Sequence, residues 1–196
     1  MKLKKSFYQR PCVDQIAKDL LGKVLISRFN NSLTSGIIVE TEAYSFKEKG
    51  CHAYNNLRTA RTETMFGDGG KIYVYLCYGI HNMFNIVTNK KEKAEAVLVR
   101  AIEPIEGTDL MIARASTRNS HRITSGPGKL TKALGIDRTM DGQLLTGYDV
   151  WIEDPGTKIA FSRIVVTKRI GIDYAGEDAL LPWRFYLKDN PWISRP

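Results

Sequence analysis

Glu40 and Glu42 stand two residues apart at the end of the apolar run GIIV, followed by Tyr44. Side chains alternate along a β-strand, so in that geometry both carboxylates face one side. Burying them together is unfavourable because they repel and lose hydration, which calls for a special partner or a special task for one of them. Arg100, in the apolar run AVLVRA, poses the complementary problem. An always-charged guanidinium there needs an acidic or carbonyl partner, and Glu103 and Glu42 are both candidates.

Around these charges lies a concentration of aromatic and amide groups. In KIYVYLC, Tyr73 and Tyr75 share one face and Val74 and Leu76 the other. Such tyrosines serve either as amphipathic core residues or as flat rings forming a slot for a planar base. Asn85 lies in an otherwise apolar run, where a buried amide is either a structural hydrogen bonder or a selectivity gate. Arg58 and Arg61, with Thr59, Thr62 and Thr64, supply forks and hydroxyls of the kind that grip phosphate, against the alternative of a solvated charged loop. Lys129 stands near the start of a helix expected from Pro127, where free N–H groups could bind a phosphate. The spacing is not that of a Walker loop.

The elements that must position these groups follow from the apolar pattern. Val13, Ile16, Ala17, Leu20 and Leu21 form a helical face stopped by Gly22. Lys23–Phe29 and Gly36–Val39 read as a hairpin around a turn cluster at Asn30–Ser35. Ser45–Lys71 is a long polar segment, and His52, Tyr54 and Phe66 argue for order within it. Strands are expected at Lys71–Cys77, continuing through Ile80–Val87, at Ala96–Ala101, and in Tyr148–Ile152 and Ile159–Thr167. A helix is expected over Glu106–Ala115. No repeat or low-complexity tract interrupts the chain.

The 196 residues, 43% of them hydrophobic, suffice for one well-buried core, and one domain spanning 1–196 is the expectation. Lys and Arg outnumber Asp and Glu by 29 to 21, a formal charge of +8, which favours a polyanionic partner such as nucleic acid. The basic N-terminus lacks the apolar run of a signal peptide, and no segment is long enough to span a membrane. A cytoplasmic protein, associated with the nucleoid in a bacterium, is expected. Cys12, Cys51 and Cys77 lack paired metal-site spacing and disulfide density, so all three are expected reduced, with Cys51 and Cys77 as packing residues.

Seven segments together carry a family resemblance: ETEAY at Glu40–Tyr44, the following His52, RTARTETMF at Arg58–Phe66, YVYLCYGIHNMFNI at Tyr73–Ile86, VLVRAIEPIEG at Val97–Gly107, SGPGKLTKALGI from Ser125, and RIGIDYAGEDALLPWRFYLKDNPWIS from Arg169. In this order, over nearly the whole chain, they resemble the alkyladenine (3-methyladenine) DNA glycosylases. The resemblance implies an α+β fold, a curved and mainly antiparallel sheet flanked by helices, with a tyrosine on a protruding β-hairpin. It implies Glu42 as general base, Arg100 as partner of the catalytic water, and a main-chain carbonyl near Ile170 holding that water. Tyr44, His52 and Tyr75 would form the base pocket, Tyr78 the wedge, and Asn85 the selectivity residue. Arg58, Arg61 and Lys129 would contact DNA.

Such an enzyme flips an alkylated or deaminated purine out of double-stranded DNA, which takes a few kcal/mol and is easier for a damaged pair. It then hydrolyses the N-glycosidic bond through an oxocarbenium-like sugar, the first step of base excision repair. No lysine is placed as an amine nucleophile, so simple hydrolysis by a monomer without metal or cofactor is expected. Two other classes fit parts of the pattern. A non-catalytic nucleic-acid-binding module would share the charge and tyrosines without needing Glu42 opposite Arg100, and a metal-dependent nuclease would use Glu40, Glu42 and His52 as ligands.

Overall fold

The computed structural model describes residues 1–116 and 122–196. Helices α1 (Lys5–Tyr8) and α2 (Val13–Asp19) precede strands β1 (Val24–Phe29) and β2 (Ser32–Ser45). Asn30 and Asn31 both take positive φ, 51° and 60°, the geometry of a two-residue turn whose twist matches the flanking strands. Pairing therefore begins at Phe29 and Ser32, not after Ser35 as the turn-forming composition suggests. β2 also continues past Val39, carrying Glu40, Glu42 and Tyr44 within a single 14-residue strand.

Next come β3 (Ile72–Cys77), β4 (His81–Thr88) and β5 (Glu95–Glu106), then α3 (Thr108–Ala115) and α4 (Pro127–Leu134). The expected helix at Glu106 starts two residues later, because β5 pairs with β2 as far as Ser35 opposite Glu106 and Gly107 then turns at φ 75°. Gly36 lets the two strands close: a Cβ there would meet the Glu103 carbonyl oxygen at 2.6 Å. β6 (Val150–Glu153), β7 (Ile164–Thr167) and β8 (Arg184–Leu187) complete the strands. Of the expected Ile159–Thr167 strand only the last four residues pair, since Phe161–Arg163 forms a single helical turn.

All eight strands belong to one sheet, in the order β3-β4-β5-β2-β1-β6, with β8 bridging β2 and β7. Every strand pairing among the described residues is antiparallel, and the fold is α+β, as the sequence implies. β2 is the hub. β5 runs along one of its edges, while β1 pairs its first half and β8 pairs Glu40–Glu42 further on. The principal core includes Ile38, Ala43, Val97 and Val99 from these strands together with Ile16 and Ala17 of α2 and Leu130 and Leu134 of α4.

The other face carries the polar alternation. Register sets Tyr73 opposite Asn85, Tyr75 opposite Met83, Asn85 opposite Leu98, Leu98 opposite Glu42 and Ala96 opposite Tyr44, so all of these side chains share one side. The segment between β2 and β3 folds over part of it on a second cluster of Cys51, Ala53, Met65 and Phe66 with Tyr73 and Ala96. Between β2 and β5 the register breaks: Ile38 pairs Ile102, Glu40 pairs Ala101 and Thr41 pairs Val99, leaving Val39 and Arg100 out of step. Such irregularities re-aim side chains, here beside the two carboxylates.

The β3–β4 hairpin projects its tip into solvent, with Tyr78 89% and Ile80 72% exposed. Tyr78 itself adopts φ 50°, an uncommon conformation for a bulky residue. Proximity to this tip also corrects the expectation for Cys77. It is half-buried, whereas Cys51 is buried as expected and its thiol is pushed up to about 12 by loss of hydration. Among the described residues no helix is long and apolar enough to cross a membrane.

Candidate active site

β2 delivers both carboxylates fully buried, and the register break in β5 delivers Arg100 to them. The guanidinium bridges the pair: Nε donates to Glu40 Oε1 at 3.0 Å and Nη1 to Glu42 Oε2 at 3.1 Å. Of the two partners considered for Arg100, Glu42 is correct and Glu103 is not. Glu103 lies beyond the register break and accepts from Asn190 instead. Burial works against the charged guanidinium, but the two carboxylates outweigh it and raise the Arg100 pKa.

The two carboxylates have different surroundings. Glu40 is the more heavily bonded. Its Oε1 accepts from Arg100, from Arg184 Nε at 2.7 Å and from the Ser194 hydroxyl at 2.8 Å, and its Oε2 accepts from the Ser194 backbone N–H at 2.6 Å. Glu42 Oε2 accepts from Arg100 and from the Tyr44 hydroxyl at 2.9 Å, while Oε1 accepts from the Ile170 N–H at 2.8 Å. A carboxylate oxygen has two lone-pair sites, so Glu42 Oε1 and Glu40 Oε2, with one donor each, both retain acceptor capacity. Glu40 is held by two arginines and Glu42 by one.

The partners Tyr44, Arg100 and Ile170 also line a cavity of about 440 Å³, together with His52, Arg61, Tyr75, Tyr78 and Asn85 among others. That volume suits a base-sized ligand. The Tyr75 and His52 rings meet edge to face with centroids 4.5 Å apart, and Tyr73 lies 5.5 Å from Tyr75. Tyr44 is backed by the Arg169 guanidinium 4.8 Å from its ring, and Arg169 in turn grips Glu48 at 2.7 and 2.8 Å. Burial raises the hydroxyl pKa of Tyr44 and of Tyr75, keeping both as neutral phenols.

Asn85 is buried, and its amide nitrogen donates to the carbonyls of Tyr73 at 3.3 Å and Met83 at 3.1 Å. That fixes the side chain rigidly on the cavity wall. His52 Nδ1 lies 3.0 Å from the Tyr73 hydroxyl, and its Nε2 lies 3.3 Å from Arg61 Nη2. Burial, with the Arg61 charge adding to it, pushes the imidazole down to about 4. A guanidinium can only donate, so Nε2 accepts and the single ring proton sits on Nδ1.

Among the residues expected to contact DNA, Arg58 is held away from the cavity by ion pairs to Glu63 at 2.7 Å and Glu92 at 2.9 Å. Lys129 is exposed in the first turn of α4, whose Pro127 reaches the cavity. Sequence reasoning missed Arg184, Arg169 and Ser194, which hold the floor and the Tyr44 wall. Arg184 carries the same signal as Arg100, a charged group in the strand-like run PWRFYL. Ser194 carries none. The nuclease reading needs Glu40, Glu42 and His52 on one ion, but the carboxylates turn to arginines and His52 to Tyr73 and Arg61. No cluster of three or more such ligands occurs among the described residues.

The structure is thus an α+β fold with a buried carboxylate–guanidinium cluster beside an aromatic-lined cavity and a hairpin tipped with an exposed tyrosine. Residues 6–191 match the family model described as methylpurine-DNA glycosylase. The chain belongs to that family, and the resemblance read from its motifs is borne out. It is 47% identical to a protein of Alkaliphilus oremlandii with both chains covered in full, and 46% identical to one of Methanocella arvoryzae over 98% of this chain and 96% of the other. A relative from Natranaerobius thermophilus is 43% identical over 99% of both chains. All three are provisionally named 3-methyladenine DNA glycosylase.

Proposed function

We propose that this protein is a monofunctional DNA glycosylase that removes alkylated or deaminated purines from duplex DNA by base flipping. Family membership supports DNA with damaged bases as the substrate class. The observation that supports the chemical reading is the asymmetry of the buried carboxylates: Glu40 is held by two arginines and Ser194, while Glu42 has one arginine and bonds Tyr44 and Ile170, which line the cavity.

In the reaction, Tyr78 enters the duplex where the nucleotide leaves, as apolar wedges do in other minor-groove proteins. The flipped purine stacks on Tyr75 with Tyr44 and His52 completing the slot, and a cationic alkylated purine gains from these electron-rich rings. Water, held by Arg100 and the Ile170 carbonyl, gives its proton to Glu42 Oε1 as its oxygen bonds to C1′ of the sugar. The N-glycosidic bond breaks, and its electron pair leaves with the base. The negative charge of Glu42 also offsets the positive charge that develops on the sugar. A free base and an abasic site result. Asn85 faces the slot and discriminates against guanine through its exocyclic N2 amino group.

The test is base release from duplexes carrying 3-methyladenine, hypoxanthine or ethenoadenine, under single turnover in EDTA. Release of the free base with an intact strand is expected. Strand cleavage that EDTA abolishes would point to the nuclease, and tight DNA binding with no base release to the binding module.

A further inference from the structure

The type and setting of Arg61 suit a phosphate contact, yet in the free protein its guanidinium is engaged inside the slot. It lies over the Tyr75 ring at 4.9 Å, and its Nη2 is 3.3 Å from His52 Nε2. These are two of the features a flipped base would use, an aromatic face to stack on and a ring nitrogen accepting an N–H. A guanidinium is itself flat, electron-poor and edged with N–H donors, so it satisfies both at once. The occupancy is also weak. Arg61 is exposed, has no ion-pair partner among the described residues, and is held at this site by neutral groups alone, the Tyr75 ring, His52 and the Tyr73 hydroxyl.

We propose that Arg61 is a built-in competitor of the flipped base, a specificity-determining residue that occupies the Tyr75 face and His52 Nε2 until a base displaces it. The inference rests on the base-flipping reading above. Competition of this kind discriminates by population. A lesion whose flipped state is already dominant loses little when an internal rival weakens flipping by a fixed factor. A well-paired or undamaged purine, flipped only rarely, loses the whole factor. The rival therefore widens the rate ratio between damaged and normal bases without touching either. Displacement frees a guanidinium at the mouth of the cavity, near the strand being distorted, where it can take a phosphate.

The experiment measures flipping apart from chemistry. In the Glu42→Gln background, stopped-flow fluorescence of 2-aminopurine beside a hypoxanthine reports the flipping equilibrium for Arg61 and for Arg61→Ala. For hypoxanthine paired with cytosine, the Arg61→Ala substitution should raise that equilibrium about two- to fivefold, or roughly 0.5–1 kcal/mol at 1.4 kcal/mol per decade. Arg61→Lys, which keeps charge but loses the flat fork, should fall between. With Glu42 restored, the single-turnover rate on this well-paired duplex should rise by the same factor, while an easily flipped mismatch changes little. Flipping that is equal, weaker or undetectable in Arg61→Ala overturns the proposal. Uniformly weaker DNA binding with unaltered flipping reduces Arg61 to a phosphate contact and overturns it too. Base release by the unsubstituted protein is read separately, so failure of the glycosylase reading is told apart from failure of this one.

Discussion

Replacing Glu42 by glutamine keeps the shape of the side chain and removes its charge, and the hydrogen-bond partners around it set the consequences. Oε2 accepts from Arg100 and Tyr44 and Oε1 from the Ile170 N–H, so all three neighbours are donors. A glutamine amide can turn its oxygen to only one side, leaving an NH₂ group facing a donor on the other. Losing a hydrogen bond to a buried charged group is worth about 1.5–3 kcal/mol. For a chain of this length that lowers Tm by about 3–12 °C, a loss that leaves the protein folded at 25 °C. The rate should suffer far more. A positioned general base contributes about 10²–10⁴-fold, or roughly 3–5 kcal/mol of barrier, and the amide cannot take a proton. Single-turnover release of hypoxanthine measures this directly, with affinity for the lesion duplex expected within about threefold of the unsubstituted protein. Release within about tenfold of normal, with binding intact, would refute the assignment. The base role would then move elsewhere, with Glu40, whose Oε2 accepts only the Ser194 N–H, next in line.

Tyr78→Ser should lower capture of the flipped state, read as loss of the 2-aminopurine signal, because in the proposed reaction the exposed ring at the hairpin tip fills the gap. Affinity should fall steeply with salt, by about one decade per decade of salt for each phosphate neutralised, and salt-independent binding would count against the DNA interface. Asn85→Ala should raise guanine excision relative to hypoxanthine. If both rates fall in parallel with Tm, the two hydrogen bonds from Asn85 to the Tyr73 and Met83 carbonyls are its whole role. His52, with its folded pKa depressed to about 4, should remain a neutral Nδ1–H tautomer at pH 5.5 in nitrogen-resolved NMR. The unfolded chain binds that proton near pH 6.5, so stability is full above about 6.5 and drains by roughly 2–3 kcal/mol as pH falls toward 4. A folded-state midpoint above about 6 would show that the buried setting of the imidazole, with Arg61 beside it, does not hold in solution.

Strand alternation makes much of the site legible in advance. Tyr73 and Tyr75 share a face, Glu40 and Glu42 share a face, and α4 begins at Pro127, because these are local consequences of period-two and period-3.6 geometry and of what a proline ring permits. The long polar segment is ordered, as its composition implies, since His52, Tyr54 and Phe66 are residues a solvated loop has no use for. Its two arginines look alike in the sequence, because each owes its role to groups distant in the chain. Arg58 is paired with Glu92, 34 residues away, and Arg61 rests on Tyr75 and His52. Cys77 misleads because an apolar run signals burial only where neighbouring strands continue past it, and the hairpin tip has none.

The sequence by itself determined which residues alternate to the cavity side, that two like charges there required a resolution, and that Arg100 required an acidic or carbonyl partner. Only the tertiary structure decided how those requirements met. The choice between Glu42 and Glu103 depended on the register break that displaces Arg100, a property of two strands some 60 residues apart. The difference in partners between the two carboxylates depended on Arg184, Ser194 and the Ile170 N–H, which arrive from 128 to 154 residues away. A buried charge states that it needs a partner through its own chemistry, but the identity of that partner is set by where the chain returns.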